Sequence, residues 1–159
     1  MFLPYPQDAI HKAWLLRILQ AFYNNRVLAT SMYFKGGTCA ALLGWLDRFS
    51  VDLDFDYMAG KPGMTEVCGA MEDIFEELGL EIKDKSKTVP QYFLHYDTPR
   101  NERNTIKIDA TFPPPKANQY QPMQIHEIGR VVTCQSKETW FANKLVAFIE
   151  RHEKRESTR

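Results

Sequence analysis

The stretch VDLDFD at residues 51–56 constrains this chain more than any other. Its strict alternation sets Val51, Leu53 and Phe55 on one face and Asp52, Asp54 and Asp56 on the other, the period of a half-buried strand. Such a strand needs a hydrophobic layer beneath one face and relief of like charges on the other. Asp52 and Asp54 leave the backbone ~6.6–6.8 Å apart by strand rise, a gap that flexible carboxylates can close around a cation. If they are partly desolvated, their repulsion raises one pKa and weakens the strand, which a hard divalent ion would offset. Mg2+ suits such a place, because it takes oxygen ligands and usually combines one or two carboxylates with substrate phosphates.

A phosphate cradle stands just upstream. Gly36-Gly37 followed by Thr38 lets backbone N–H groups approach an anion closely, and the short helix expected over residues 38–46 offers its N-terminus to the same anion. A glycine pair alone signals a tight turn, and an isolated Asp-x-Asp is ordinarily a solvated strand face. The two in sequence order, one short helix apart, are far more specific than either. A third carboxylate, Asp109 in IKIDAT, shares a strand face with Lys107 while Ile106 and Ile108 face away. If that strand neighbours residues 51–57, Asp109 completes a three-carboxylate cluster able to hold two ions ~3.5–4 Å apart. Asp56, two residues beyond the pair, is expected at the rim or in solvent. Lys107 is expected in an ordinary salt bridge, and Lys35 is read the same way.

The rest of the chain supplies the scaffold. Residues 8–24 space Ile10, Trp14, Ile18 and Phe22 as a helical stripe, with Asp8 as N-cap and Asn24-Asn25 at the end. Residues 31–35 read as a strand that ends at the glycine pair. Pro62-Gly63 breaks the chain before a helix over 64–78, which Gly79 stops. Residues 89–96 and 105–112 form a hairpin around the polar turn 98–104; Pro113-Pro114-Pro115 ends it and a polar loop follows over 116–124. Residues 130–133 make a last strand. A final helix after Ser136 carries Trp140, Phe141, Leu145, Phe148 and Ile149 on one face, and the polar tail 151–159 frays.

Composition limits the classes. With 159 residues and 44% hydrophobic content, one folded domain is expected. Twenty basic and twenty acidic side chains give no net charge to attract nucleic acid or membrane. Cys39, Cys68 and Cys134 are too few and too scattered for a disulfide framework, and the four histidines show no zinc spacing. No basic segment precedes an apolar stretch at the start, and no apolar run approaches ~18 residues, so a cytoplasmic protein is expected. No nucleophile motif such as GxSxG occurs.

FKGGTCAALL, RFSVDLDFD and IKIDA, with ETWFANKLVAFIER as a fourth and weaker element, together resemble the AbiEii/AbiGii toxin-like nucleotidyltransferases, whose fold is shared with DNA polymerase β. The resemblance covers about residues 34–151. It implies an α/β (α+β) nucleotidyltransferase fold, a small mixed sheet flanked by helices, in one domain with a catalytic core at about 30–112 and a helical part at about 136–152. It implies that Gly36, Gly37 and Thr38 contact a triphosphate, that Arg48 and Ser50 support that loop or touch phosphate, and that Lys144 faces the triphosphate. Asp52, Asp54 and Asp109 become the ligands of two Mg2+ ions, and Asp109 helps to deprotonate the acceptor. The implied activity moves a nucleoside monophosphate from an NTP to a hydroxyl on RNA, tRNA ends in particular, or on protein, as the toxin partner of an antitoxin. A catalytically silent nucleotide-binding module is the alternative. A carboxylate-metal nuclease is disfavoured, since hydrolysis needs no glycine cradle. Such proteins continue past the helix lysine into an Arg-Asp-x-x-Asp motif, whereas this sequence reaches Arg159 after RHEKREST; a short form or a fragment is expected.

Overall fold

The computed structural model describes residues 5–99 and 102–157. Pro4, the middle of the 98–104 turn and the last two residues of the expected tail lie outside them. Among the described residues, the apolar face of the VDLDFD strand is covered as its pattern requires. Leu53 and Phe55 are fully buried, and Phe55 meets Phe34 and Phe22 with ring centroids 5.5 and 5.8 Å apart. Phe22 also meets Phe75, at 6.0 Å. Burying each such side chain contributes roughly 1.5–3 kcal/mol, so this aromatic cluster is a principal source of cohesion between sheet and helices.

The elements run α1 Pro6–Asn24, α2 Arg26–Ser31, β1 Met32–Lys35, α3 Gly36–Leu42, β2 Leu53–Tyr57, α4 Gly60–Glu77, β3 Glu81–Lys85, β4 Gln91–His95, β5 Thr105–Thr111, β6 Tyr120–Ile125, β7 Arg130–Gln135 and α5 Lys137–Ser157. The seven strands form one mixed sheet in the order β3-β4-β5-β2-β1-β7-β6. β2 is antiparallel to β1 and parallel to β5, and β1 is parallel to β7. The mixed sheet flanked by helices is the expected fold class.

Several expectations change in detail. Asp8 is not the N-cap of α1: Tyr5 is, and Asp8 lies at the third helical position, its carboxylate accepting the Tyr5 N–H at 3.2 Å. The buried stripe of α1 runs through His11, Leu15, Ile18, Leu19 and Phe22, while Ile10 is 43% exposed. Asn25 ends α1 and also caps α2, an element the sequence did not announce, by accepting from the Val27 and Leu28 N–H groups. Pro62 and Gly63 sit inside the first turn of α4, where proline's missing N–H leaves no hydrogen bond unmade. Gly79 follows α4 with φ +71°, as a helix stop requires.

The largest departure is at 116–124, expected as a polar loop. Residues from Tyr120 onward form β6, paired antiparallel with β7 from Tyr120↔Gln135 to Ile125↔Arg130. β3, also unannounced, is the opposite edge. α5 runs on to Ser157, through most of the tail expected to fray. Its apolar face is not core: Phe141, Leu145, Phe148 and Ile149 are 49–70% exposed, and only Trp140 is covered, against Trp45 at 6.1 Å. All three cysteines are free, and no helix among the described residues is long and apolar enough to cross a membrane.

Candidate active site

β2 turns its aspartates away from the aromatic core, and register decides what they meet. Asp54 pairs with Lys35 on β1 and with Asp109 on β5, so Asp54 and Asp109 project from neighbouring parallel strands on the same face. Asp52 lies one residue before β2. Burial, then the charges of Asp52 and Asp109, pushes the Asp54 carboxyl above the usual carboxylate range, against the opposing pull of Lys35 and Lys144. The strand therefore carries the electrostatic conflict that its sequence foretold.

The glycine pair packs onto these carboxylates. Gly36 opens α3 with φ +82°, and a Cβ there would overlap the Asp54 carboxylate. A Cβ at Gly37 would come within 2.9 Å of the Ser50 hydroxyl and 3.5 Å of the Arg48 guanidinium, so these two side chains brace the loop from the side. Thr38 is buried, and its hydroxyl donates to the Asp52 carbonyl, tying the loop to the start of β2. That leaves its backbone N–H, with those of Gly36 and Gly37 in the first helical turn, to meet an anion. Lys35 holds the N-cap position of α3, which runs over Gly36–Leu42 rather than the expected 38–46.

Asp109 is engaged as it stands. Lys107 Nζ donates to it at 2.6 Å, the ordinary salt bridge expected, and Gln91 Nε2 donates at 3.1 Å. Among the described residues no group of three His, Cys, Asp or Glu side chains converges tightly enough to hold an ion. The donor chemistry still fits one: the site is all carboxylate, suited to a hard cation, and Asp54 carries the unfavourable charge that a cation would relieve. Asp109 would have to leave Lys107 to join it.

A cavity of about 210 Å3 opens beside Asp54. Lys35, Gly36, Asp54 and Gln135 form its sheet side, and Trp140, Asn143, Lys144 and Ala147 line it from α5. Lys144 thus comes to the cavity beside Asp54 from more than thirty residues beyond Asp109.

Asp56 corrects the sequence reading. It is neither at the rim nor in solvent but 0% exposed. Its Oδ1 accepts from Lys35 Nζ at 2.6 Å, and its Oδ2 from Tyr120 at 2.6 Å, Gln135 at 2.8 Å and Asn118 at 2.9 Å. Burial alone would raise its pKa, but these hydrogen bonds and the Lys35 charge outweigh it and hold the carboxyl below its ordinary value. Lys35 also donates to Thr111 at 2.7 Å. Asn118 in turn accepts from Asn143 on α5 at 3.2 Å. Asp56 therefore fixes two residues of the cavity's sheet side, Lys35 and Gln135. Sequence reasoning missed this because the strand that covers Asp56 was itself read as loop; the one available signal was the unbroken alternation through Asp56.

A glycine turn packed on a strand carboxylate, with a second carboxylate on the adjacent parallel strand, belongs to a fold known from solved structures. A Helicobacter pylori protein described as a candidate nucleotidyltransferase matches with a TM-score of 0.59 at 23% identity, over 89% of this chain and 59% of its own. JHP933 from Helicobacter pylori matches with a TM-score of 0.58 at 24% identity, over 89% of this chain and 57% of its own. The fold is that of the nucleotidyltransferases, and the chain spans less than two thirds of either protein's length. No curated protein matches the sequence. The family model of the nucleotidyl transferase AbiEii toxins of type IV toxin–antitoxin systems matches residues 17–159. The chain belongs to that family.

Proposed function

We propose that this chain transfers a nucleoside monophosphate from an NTP to a hydroxyl acceptor, RNA or protein, as the toxin of a cytoplasmic toxin–antitoxin pair. The observation that carries the reading is the placement of Asp54 against both Asp109 and the Gly36 turn, beside a cavity with Lys35 and Lys144. In this reading the backbone N–H groups of Gly36, Gly37 and Thr38 hold the triphosphate, Arg48 and Ser50 keep that loop in place, and Lys144 neutralises phosphate charge from α5. Asp52, Asp54 and Asp109 would hold Mg2+, which when bound lowers the charge repulsion between an attacking oxygen and the phosphates. The acceptor oxygen forms a bond to the α-phosphorus while the bond from that phosphorus to the bridging oxygen breaks, and pyrophosphate leaves. Asp109 takes the hydroxyl proton.

The test is incubation of the protein with labelled NTPs, Mg2+ and a tRNA or lysate pool, beside Asp54→Asn. Label on an acceptor, lost in the variant, supports transfer; full labelling by the variant would sink the mechanism. The Lys107–Asp109 ion pair favours a second reading, a nucleotide-binding module without transfer. It predicts calorimetric binding of a non-hydrolysable NTP with no labelled acceptor.

A further inference from the structure

Trp140, Asn143, Lys144 and Ala147 line the cavity beside Asp54 from α5, spaced as one helix face. The two cations of this cavity are not equal. Lys35 gives its ammonium to Asp56 at 2.6 Å and to Thr111 at 2.7 Å, whereas Lys144 makes no hydrogen bond or ion pair among the described residues. Lys144 is therefore the cation left for an incoming phosphate, and the place of α5 decides where that charge falls.

Beyond Trp140 against Trp45, apolar packing does little to fix that helix: Leu145, Val146, Phe148 and Ile149 are 49–70% exposed. Polar links tie its start to two residues of the loop before β6. The Gln119 N–H donates to the Thr139 hydroxyl at 3.0 Å, and the Gln119 carbonyl accepts from the Ser136 N–H at 2.8 Å. Asn118 Oδ1 accepts from Asn143 Nδ2 at 3.2 Å, while Asn118 Nδ2 donates to the buried Asp56 carboxylate at 2.9 Å. A carboxylate accepts and does not donate, so Asp56 fixes which end of the Asn118 amide faces it and leaves the amide oxygen for Asn143. We infer that Asn118 is a positioning residue for the triphosphate: it joins Asp56, two residues beyond Asp54 on β2, to Asn143, the residue before Lys144 on α5, and so holds Lys144 over the cavity. Asn118 does not itself line the cavity, so its effect on substrate passes through Lys144. The inference rests on the reading of this cavity as the nucleotide site and goes beyond it by assigning what sets the distance between the sheet and the helix that close it.

A double-mutant cycle, read by calorimetric titration with Mg2+ and inorganic tripolyphosphate, tests it. Lys144→Ala should raise the Kd about tenfold or more, the loss typical of a hydrogen bond to a charged group, and Asn118→Ala about fivefold. In the Lys144→Ala background, Asn118→Ala should change the Kd by less than about twofold, because a residue that acts only through Lys144 has nothing left to position. General loosening of the structure would instead weaken binding in both backgrounds alike. Asn118→Asp is the second variant: it keeps an acceptor for Asn143 but sets a carboxylate against Asp56, and it should show the same dependence on Lys144. Asp56 retains Lys35, Tyr120 and Gln135 as donors in either variant, so both should fold, and either one decides the question. The inference is overturned if the Asn118 variants bind as tightly as the parent while Lys144→Ala loses affinity, in which case the phosphate cavity stands without it. It is equally overturned if the effects of Asn118→Ala and Lys144→Ala multiply in the double variant. Failure of the unaltered protein to bind tripolyphosphate would remove the reading of the cavity and the inference together.

Discussion

Asp54 on β2 and Asp109 on β5 occupy one register pair of parallel strands, so two carboxylates more than fifty residues apart in sequence stand side by side on the sheet. Burial and this neighbour, together with Asp52, raise the Asp54 pKa. A carboxyl with a raised folded-state pKa gives its full stability below its unfolded pKa and loses it as pH rises through the folded value. At neutral pH the ion-free fold therefore carries an unfavourable charge. Asp54→Asn should raise the melting temperature of the ion-free protein while abolishing transfer. Mg2+ should raise the melting temperature of the parent and not of the variant. Thermal scans with and without Mg2+ check both; a variant less stable than the parent would contradict the account.

Gly36 should tolerate no side chain. Gly36→Ala meets two obstacles, a left-handed φ of +82° and overlap with the Asp54 carboxylate. The backbone alone costs about 1–2 kcal/mol, and displacement of Asp54 should remove NTP binding as well. Gly44→Ala provides the comparison, since Gly44 has φ +73° but nothing within 4 Å of its Cβ position. It should lose similar backbone stability in a denaturant melt and keep its affinity by calorimetry.

Asp56 should matter more to stability than to chemistry. Its carboxylate is fully buried and takes four hydrogen bonds, one from Lys35. Asp56→Asn replaces an acceptor-only group with one that also donates and leaves Lys35 without its ion-pair partner; loss of one partner of a buried pair typically costs about 3–5 kcal/mol. Because the Asp56 pKa is lowered in the fold, its contribution is complete above the unfolded value of about 3.9 and disappears as pH falls through the folded value. Urea melts at pH 7 and below pH 4 should show the Asp56→Asn penalty shrinking in acid.

His11 sets a milder pH dependence. Its ring is fully buried, with Nε2 2.8 Å from the Val51 carbonyl and Nδ1 2.7 Å from the Tyr96 hydroxyl. Burial lowers its pKa; Arg103 acts in the same direction, and the Val51 carbonyl, Asp52 and Asp8 oppose. Below about pH 6.5 the unfolded chain then takes up a proton that the folded chain resists, and stability falls with pH. Melting temperatures between pH 7.5 and 5.5 should decline, and His11→Gln should flatten that decline.

The sequence by itself determined which residues of 51–56 share a face, where the glycine turn falls and that a helix bearing Lys144 follows Ser136, because side-chain period, proline and glycine act over a few residues. That one carboxylate of the Asp52–Asp54 pair would be strained if partly desolvated was legible from spacing; that it is Asp54 was not. Which polar side chains would be covered as well was not legible. Asp56 alternates in phase with Asp54 and was expected at the rim or in solvent, yet it is fully buried by Lys35, Tyr120 and Gln135 while Asp54 borders a cavity. That difference arises where β6 pairs with β7 and the loop at Asn118 reaches α5, contacts between segments some sixty to ninety residues from Asp56. Only the tertiary structure decided it, because period fixes the direction of a side chain, whereas burial and pKa depend on what the distant chain brings to meet it.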